Sequence, residues 1–180
     1  RQSEIAKAAL EIIGARGMKG LRVAAVARKV GLVPSGIYRH YRSKDELLDA
    51  ILDYIQHRFA TNVRAVARME GTALARLHVL LMKHINLIRE NASIPLVVFS
   101  AELYMESPRR RVKLLGIIES YLSEVAAIVE QGQFEGTVRS TLDPQTCAML
   151  FLGLIQPSTI VWHLSAGKYD VTKQAEAAWP

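Results

Sequence analysis

Hydrophobic positions recur at three- and four-residue spacing along nearly the whole chain, the pattern that amphipathic helices produce. Ile5, Ala9, Ile12 and Ile13 form one such apolar face, which ends near Gly17. No stretch of four or more residues alternates cleanly between apolar and polar positions, as the sequence of a half-buried strand does. The pattern therefore predicts an all-α fold.

Two short helical segments, 23–30 and 34–40, are separated by Gly31. Two helices that cross steeply need a small residue where they meet, and Ala27 supplies it. Four residues later the turn needs a left-handed backbone, which Gly31 adopts without a side-chain clash. The spacing favours a helix-turn-helix packed on the first helix, although simple helical hairpins also match it by chance.

The later helices are marked by their N-terminal signals. Ser43 to Glu46 fit a capping box, in which the serine accepts from the third helical amide and Glu46 reaches back to the cap. The helix that opens at Asp143-Pro144 should reach about Leu164, with a kink at Pro157. Its apolar run, 147–155, is too short to cross a bilayer, so we expect a buried helix and no membrane partner.

Charge is distributed unevenly along the chain. The net charge is +6, with ten Lys/Arg against five Asp/Glu in residues 1–50 and thirteen against twelve in residues 51–180. The first quarter therefore carries +5 of the total. This asymmetry favours an anionic partner for that part of the chain, with a merely solvated basic face as the alternative.

The segment Tyr38–Lys44 carries phenol, imidazole, guanidinium and ammonium groups within seven residues. These groups suit phosphate oxygens, and the amides at the start of the next helix add an anion site. We expect Tyr38 to face outward and Tyr41 to pack beneath that helix. Small residues at the start of the second short helix would let its backbone lie deep in a major groove. They are Pro34, Ser35 and Gly36.

The run GLRVAAVARKVGLVPSGIYRHYRSKDELL, residues 20–48, resembles the DNA-binding domain of the TetR family of transcriptional regulators. The resemblance is close over about residues 3–52, and the helical remainder agrees in length and helix order. It implies a three-helix DNA-binding domain at 1–45 and a helical-bundle effector-binding and dimerisation domain at 46–180. The positions that it places at DNA are Arg22, Pro34, Ser35, Gly36, Tyr38, Arg39, His40 and Lys44.

Two positions depart from the family pattern. Arg22 stands where the family usually has a threonine that caps the first helix of the motif. An arginine cannot cap, but it can reach a phosphate or a guanine edge. Val33 replaces a serine before the recognition helix, which removes a capping contribution of about 1 kcal/mol. Both departures concern operator preference rather than DNA binding itself.

The resemblance also implies a homodimer built on the last helices. Independently, the helix that opens at Asp143 is apolar nearly all round, more than one subunit of this size can hide, which favours an isologous interface. The alternative is the central core helix of a monomer. The predicted interface residues are Phe151, Leu154, Ile155 and Trp162.

An effector pocket is expected between the DNA-binding and dimerisation elements. An apolar cavity with few polar groups would suit a small hydrophobic or aromatic effector, although each of its predicted residues also suits plain core packing. The predicted residues are Phe59, Met82, Ile85, Phe99, Glu102, Leu103, Tyr121 and Val125, with His84 and Asn86 as further polar groups.

The sequence gives little indication of a metal or cofactor site. No H-x-x-x-H spacing occurs, so neither a metal site nor a cofactor is predicted. The lone Cys147 and the lack of a basic-then-apolar leader suit a cytoplasmic protein. The basic run 109–111 is interpreted as a solvated face.

The sequence predicts a ligand-responsive repressor that binds a palindromic double-stranded operator. The alternatives are a helical-bundle enzyme and a binding protein with a vestigial helix-turn-helix.

Overall fold

The computed structural model describes residues 1–179, and at Pro34 it describes the helix but not the side chain. Over these residues the regular secondary structure is entirely helical, as the sequence predicts. The helices are α1 (Gln2–Arg16), a 3₁₀ turn (Met18–Gly20), α2 (Val23–Lys29), α3 (Pro34–Tyr38), α4 (Lys44–Ala67), α5 (Ala73–Glu90), α6 (Ser93–Val98), α7 (Ala101–Tyr104), α8 (Pro108–Phe134), α9 (Pro144–Leu164) and α10 (Val171–Ala178).

The chain divides into two compact units. The first comprises Arg1–His57 and Asn91–Leu115, and the second comprises Arg58–Glu90 and Gly116–Pro180. Helices α4 and α8 contribute residues to both units. In the first unit, α1 packs on α2 and on α6, and α2 packs on α3. Its fully buried side chains include Leu10, Ile13, Leu21, Ile37, Leu47, Leu48, Ile51 and Leu52.

The second unit has its own apolar core, in which α5 packs against α9 and α10. Residues from α8 join it at the spacing expected for the buried stripe of a helix. The buried members of the core include Val66, Leu80, Leu81, Ile85, Tyr121, Val125, Val129, Phe151 and Ile155.

The start of α9 follows the predicted cap. The Asp143 carboxylate accepts from both the hydroxyl and the amide of Thr146, at 2.7 Å each, and these hydrogen bonds lower the pKa of Asp143. The segment from Ser93 to Tyr104 forms two short helices, α6 and α7. They are separated at Phe99, because Ser100 leaves the helical conformation and its hydroxyl accepts from the amide of Leu103 to start α7.

Helix α9 continues through Pro157 and is 21 residues long. Its length and composition would allow it to cross a membrane, which for a single helix is weak evidence. Only 28% of its most apolar window is buried inside the chain. The burial of α9 is therefore incomplete within one chain: one side of the helix lies in the core and the other is an exposed apolar face.

Candidate nucleic-acid interface

The helix-turn-helix has the predicted backbone geometry. Gly31 has φ 69°, the left-handed conformation that the turn requires and that glycine adopts without strain. Ala27 is completely buried, and its carbonyl accepts from the amide of Leu32 at 2.9 Å. The structure therefore places Ala27 at the helix contact and Gly31 in the turn, as the sequence predicts.

Most of the predicted DNA-facing residues that the structure describes are exposed, and Gly36 and Lys44 are partly buried. Tyr38 is 45% exposed, whereas Tyr41 is 7% exposed and packs inside the unit, so the expected difference in exposure between the two tyrosines is observed. Burial, with a contribution from Asp53, raises the pKa of Tyr41. Arg22 and Val33 occupy N-cap positions without a side-chain cap, in agreement with their chemistry.

The remaining predicted contacts differ in exposure. Ser35, Arg39 and His40 are exposed, and Gly36 is partly buried. The prediction at Pro34 falls on a side chain outside the described residues. The exposed groups offer hydroxyl, guanidinium and imidazole donors on one short segment, a set that suits phosphate oxygens and base edges. Their contact with DNA stays a prediction.

The start of α4 is held by a cap that differs in one bond from the predicted box. The Ser43 hydroxyl accepts from the amide of Glu46 at 3.2 Å, as expected. The Glu46 carboxylate, however, accepts from the amide of Arg42 at 2.7 Å rather than from that of Ser43. Because this bond reaches one residue further back, it fixes the chain between α3 and α4 as well as the helix start.

Lys44, predicted to contact phosphate, forms an ion pair with Glu102 on α7. The two side chains are each 32% exposed. Glu102 is therefore an ion-pair partner within the first unit, and its contact with an effector stays a prediction. Nothing in the local sequence signals this pair, because its members are 58 residues apart.

The basic run at the start of α8 is not a simple solvated face. Arg110 is buried, and its guanidinium donates to the Leu103 carbonyl at 3.0 Å and to the Asp45 carboxylate at 2.7 Å. One turn further, Lys113 pairs with Asp53 at 2.7 Å. The expectation of a solvated run is wrong for Arg110, whose charge is matched by an acidic residue on α4. Arg109, 82% exposed, does remain in solvent.

The second unit contains a buried polar group among aromatic rings. His84 Nδ1 lies 3.0 Å from the Tyr121 hydroxyl, and the Phe59 ring lies 4.9 Å from both of their rings, measured between centroids. Burial lowers the pKa of His84 to about 4 and raises the pKa of Tyr121. At neutral pH both groups are therefore uncharged, and they present a hydrogen-bonding pair inside an apolar core.

The predicted effector residues are divided between the units. Phe59, Met82, Ile85, Tyr121 and Val125 belong to the second unit, where Ile85 and Val125 are completely buried. Phe99, Glu102 and Leu103 belong to the first unit. Phe99 is 52% exposed, and Leu103 is completely buried.

Two cavities of the second unit were not foreseen. One, of about 730 Å³, is lined by the end of α5 and by the segment between α9 and α10, including Arg89, Trp162, Lys168 and Tyr169. The other, of about 230 Å³, is almost wholly apolar and includes Val125, Leu154 and Trp179. Both depend on residues far apart in sequence, so periodicity alone gives no signal for them.

The exposed face of α9 differs from the predicted interface. Phe151 and Ile155 are 6% and 0% exposed and pack in the core of their own chain, while Leu154 and Trp162 are partly buried. The apolar residues on the opposite face recur at helical spacing and are 43–83% exposed. They are Met149, Leu150, Ile160, Val161 and Leu164. We call these five residues the α9 apolar face.

Comparisons with known proteins agree with this architecture. Residues 5–51 match the family described as bacterial regulatory proteins, tetR family, and residues 54–180 match the family described as YsiA-like protein, C-terminal region. The fatty acid metabolism regulator protein of Bacillus subtilis is 23% identical over 168 residues, which cover 93% of this chain and 86% of that protein. The nucleoid occlusion factor SlmA of Klebsiella pneumoniae is 22% identical over 181 residues, covering 100% and 91%.

Among solved structures, the transcriptional regulator FadR of Bacillus subtilis in complex with stearoyl-CoA has a similar fold. The TM-score is 0.80 at 21% identity, with 98% of this chain and 95% of that chain covered. Members of the TetR family bind operator DNA, dimerise and respond to small-molecule effectors. The chain belongs to the TetR family of bacterial regulatory proteins and is a ligand-responsive, DNA-binding transcriptional regulator without enzymatic activity.

Proposed function

We propose that this protein is a homodimeric cytoplasmic repressor that binds a palindromic operator and is released from it by a fatty acyl thioester. The observation that carries the DNA-binding part is the exposed polar and basic surface at α3, on a helix-turn-helix with the required Gly31 turn. In a dimer, the two recognition helices would lie about 34–36 Å apart and enter successive major grooves.

The proposed operator contacts divide by chemistry. Tyr38, His40 and Lys44 would bind phosphates, and Ser35, Gly36 and Arg39 would lie at base edges or the nearby backbone. Arg22 would reach a phosphate from the start of α2, where its exposed side chain caps nothing. We propose residues 1–45 as the DNA-binding domain and 46–180 as the effector-binding and dimerisation domain.

The proposed effector follows from two supports. The second unit has an apolar interior in which His84 and Tyr121 are uncharged at neutral pH, so it suits an apolar chain with a neutral carbonyl rather than an ion. The FadR structure of similar fold holds stearoyl-CoA. We propose that Phe59, Met82, Ile85, Tyr121 and Val125 contact such a chain.

Dimerisation is proposed through the α9 apolar face. Five large apolar side chains on one helix face would be costly in water, and an isologous contact with a second copy would bury them. Leu154 and Trp162 remain proposed members at the edge of this face. Phe151 and Ile155 would support it from the core.

The test is selection of duplexes from a random-sequence pool, followed by fluorescence anisotropy with the enriched site. A palindromic site should bind tightly, and Tyr38→Phe with Arg39→Ala should weaken binding. Lys173→Ala, at an exposed position of α10, removes the same positive charge as Arg39→Ala and serves as the control. Stearoyl-CoA, but not coenzyme A alone, should release the duplex. Sequence-blind binding that disappears with salt would contradict the proposal.

A further inference from the structure

The ion pair between Lys44 and Glu102 puts a carboxylate beside a lysine proposed to bind operator phosphate. A phosphate arriving at Lys44 meets the Glu102 charge at the same ammonium group. The ion pair must then break, or two anions must share one cation at short range, and either outcome costs part of the electrostatic gain of DNA binding.

Glu102 is held in this place by its surroundings. Ser100 caps the start of α7, and the Leu103 carbonyl next to Glu102 accepts from Arg110 at 3.0 Å. The same guanidinium binds Asp45, the residue after Lys44, at 2.7 Å. Helix α7 and the first turn of α4 are therefore joined by two adjacent links, so the Lys44–Glu102 pair is part of a fixed arrangement and not a chance surface contact.

We infer that Glu102 sets operator affinity by competing with DNA phosphate for Lys44. The inference rests on the proposed function, because it requires that Lys44 lies at the operator backbone. Glu102 acts without touching DNA: it lowers the affinity uniformly across operator sequences, since a phosphate contact carries no base information. Removal of the Glu102 carboxylate leaves the Lys44 ammonium free to bind phosphate and does not alter the recognition helix.

The experiment measures operator affinity of the full chain by fluorescence anisotropy over a salt series. Glu102→Gln should bind about three- to five-fold more tightly, the range expected for release of a partly exposed ion pair. Its salt slope should steepen by up to about 0.9, the value for one additional phosphate contact. The matched control is Glu106→Gln, an exposed glutamate four residues away that changes net charge equally.

A double-mutant cycle separates competition from a general charge effect. In the Lys44→Ala background, Glu102→Gln should bring no gain, because the contested ammonium is gone. Thermal unfolding of every variant checks that the fold is retained. Three results would overturn the inference: Glu102→Gln gains no more operator affinity than Glu106→Gln, it gains as much in the absence of Lys44, or it binds the operator more weakly than the wild type.

The outcomes also separate this inference from the proposed function. If the wild-type protein selects no operator, the proposed function fails. If the wild type binds an operator and Lys44→Ala weakens it, while Glu102→Gln behaves like Glu106→Gln, the function stands and the competition is refuted.

Discussion

His84 and Tyr121 meet through a 3.0 Å contact between Nδ1 and the phenol oxygen, with both side chains buried. Burial lowers the pKa of His84 from 6.5 to about 4. The imidazole is therefore neutral in the folded protein over a pH range in which it would be protonated in the unfolded chain. A proton on His84 would leave a charge in the apolar core, where little compensates it.

We expect stability to fall with acidification between pH 6.5 and pH 4. In this window the unfolded state binds a proton at His84 and the folded state does not, so the free energy of unfolding rises with pH. The contribution is fully present above pH 6.5 and amounts to at most about 3 kcal/mol, from the shift of the His84 pKa to about 4. Urea unfolding at a series of pH values measures it.

The control for this titration is a pair of variants. His84→Gln keeps a polar group but has no proton to gain, so its stability should depend less on pH in the same window. His40→Gln makes the same exchange at an exposed position, so it separates the loss of a buried imidazole from the substitution itself. Equal pH profiles for the wild type and His84→Gln would show that His84 does not control acid stability.

The DNA-reading part of the fold could be predicted because its determinants are local. Ala27 and Gly31 are four residues apart, and the caps at Ser43 and Asp143 involve hydrogen bonds over three residues. Such signals depend on backbone geometry and short side chains, which a sequence displays directly. Tyr38 is the last residue of α3, whereas Tyr41 lies beyond it in the connection to α4, so the two side chains have different surroundings.

The long-range features could not be predicted in the same way. Arg110 and Asp45 are 65 residues apart, and the sequence offers no reason to pair them rather than leave both in solvent. Helix α9 shows a different limit. When a helix is apolar on all sides, periodicity does not tell which side faces the core, and Phe151 was therefore assigned to the interface although it packs inward.

Gly31→Ala should weaken the helix-turn-helix through the backbone alone. An added Cβ at this position meets nothing within 4 Å, so sterically the space is open. The cost arises from φ 69°, where an L-residue with a Cβ loses about 1–2 kcal/mol. Chemical unfolding and operator binding should both show the loss, and Gly31→Asn should be milder because asparagine tolerates this conformation. Equal effects of the two substitutions would point to a cause other than φ.

Arg110→Met should be among the more destabilising changes of an arginine in this chain. The substitution removes two hydrogen bonds of a buried charged group and leaves the Leu103 carbonyl without its donor. A hydrogen bond to a charged group contributes about 1.5–3 kcal/mol, and the bond to Asp45 adds little because that side chain is 69% exposed, so a loss of about 2 kcal/mol is expected. Arg109→Met is the matched control: at 82% exposure its 3.8 Å pair with Asp49 should contribute almost nothing. Comparable urea midpoints for the two variants would contradict the assignment.

A substitution on the α9 apolar face should change the oligomeric state of the protein without changing the fold of the single chain. Ile160 is 51% exposed in the single chain, so Ile160→Glu should leave the fold of the monomer intact. If this face meets a second copy, the same substitution buries a carboxylate in an apolar interface and should shift the protein toward the monomer. Analytical ultracentrifugation measures the change, and operator affinity should fall with it because two linked recognition helices bind better than one.

Leu96→Glu on α6 introduces the same charge at a comparable exposure of 43% and should not alter the oligomeric state. A dimer that survives Ile160→Glu and Leu164→Glu together would place the interface elsewhere.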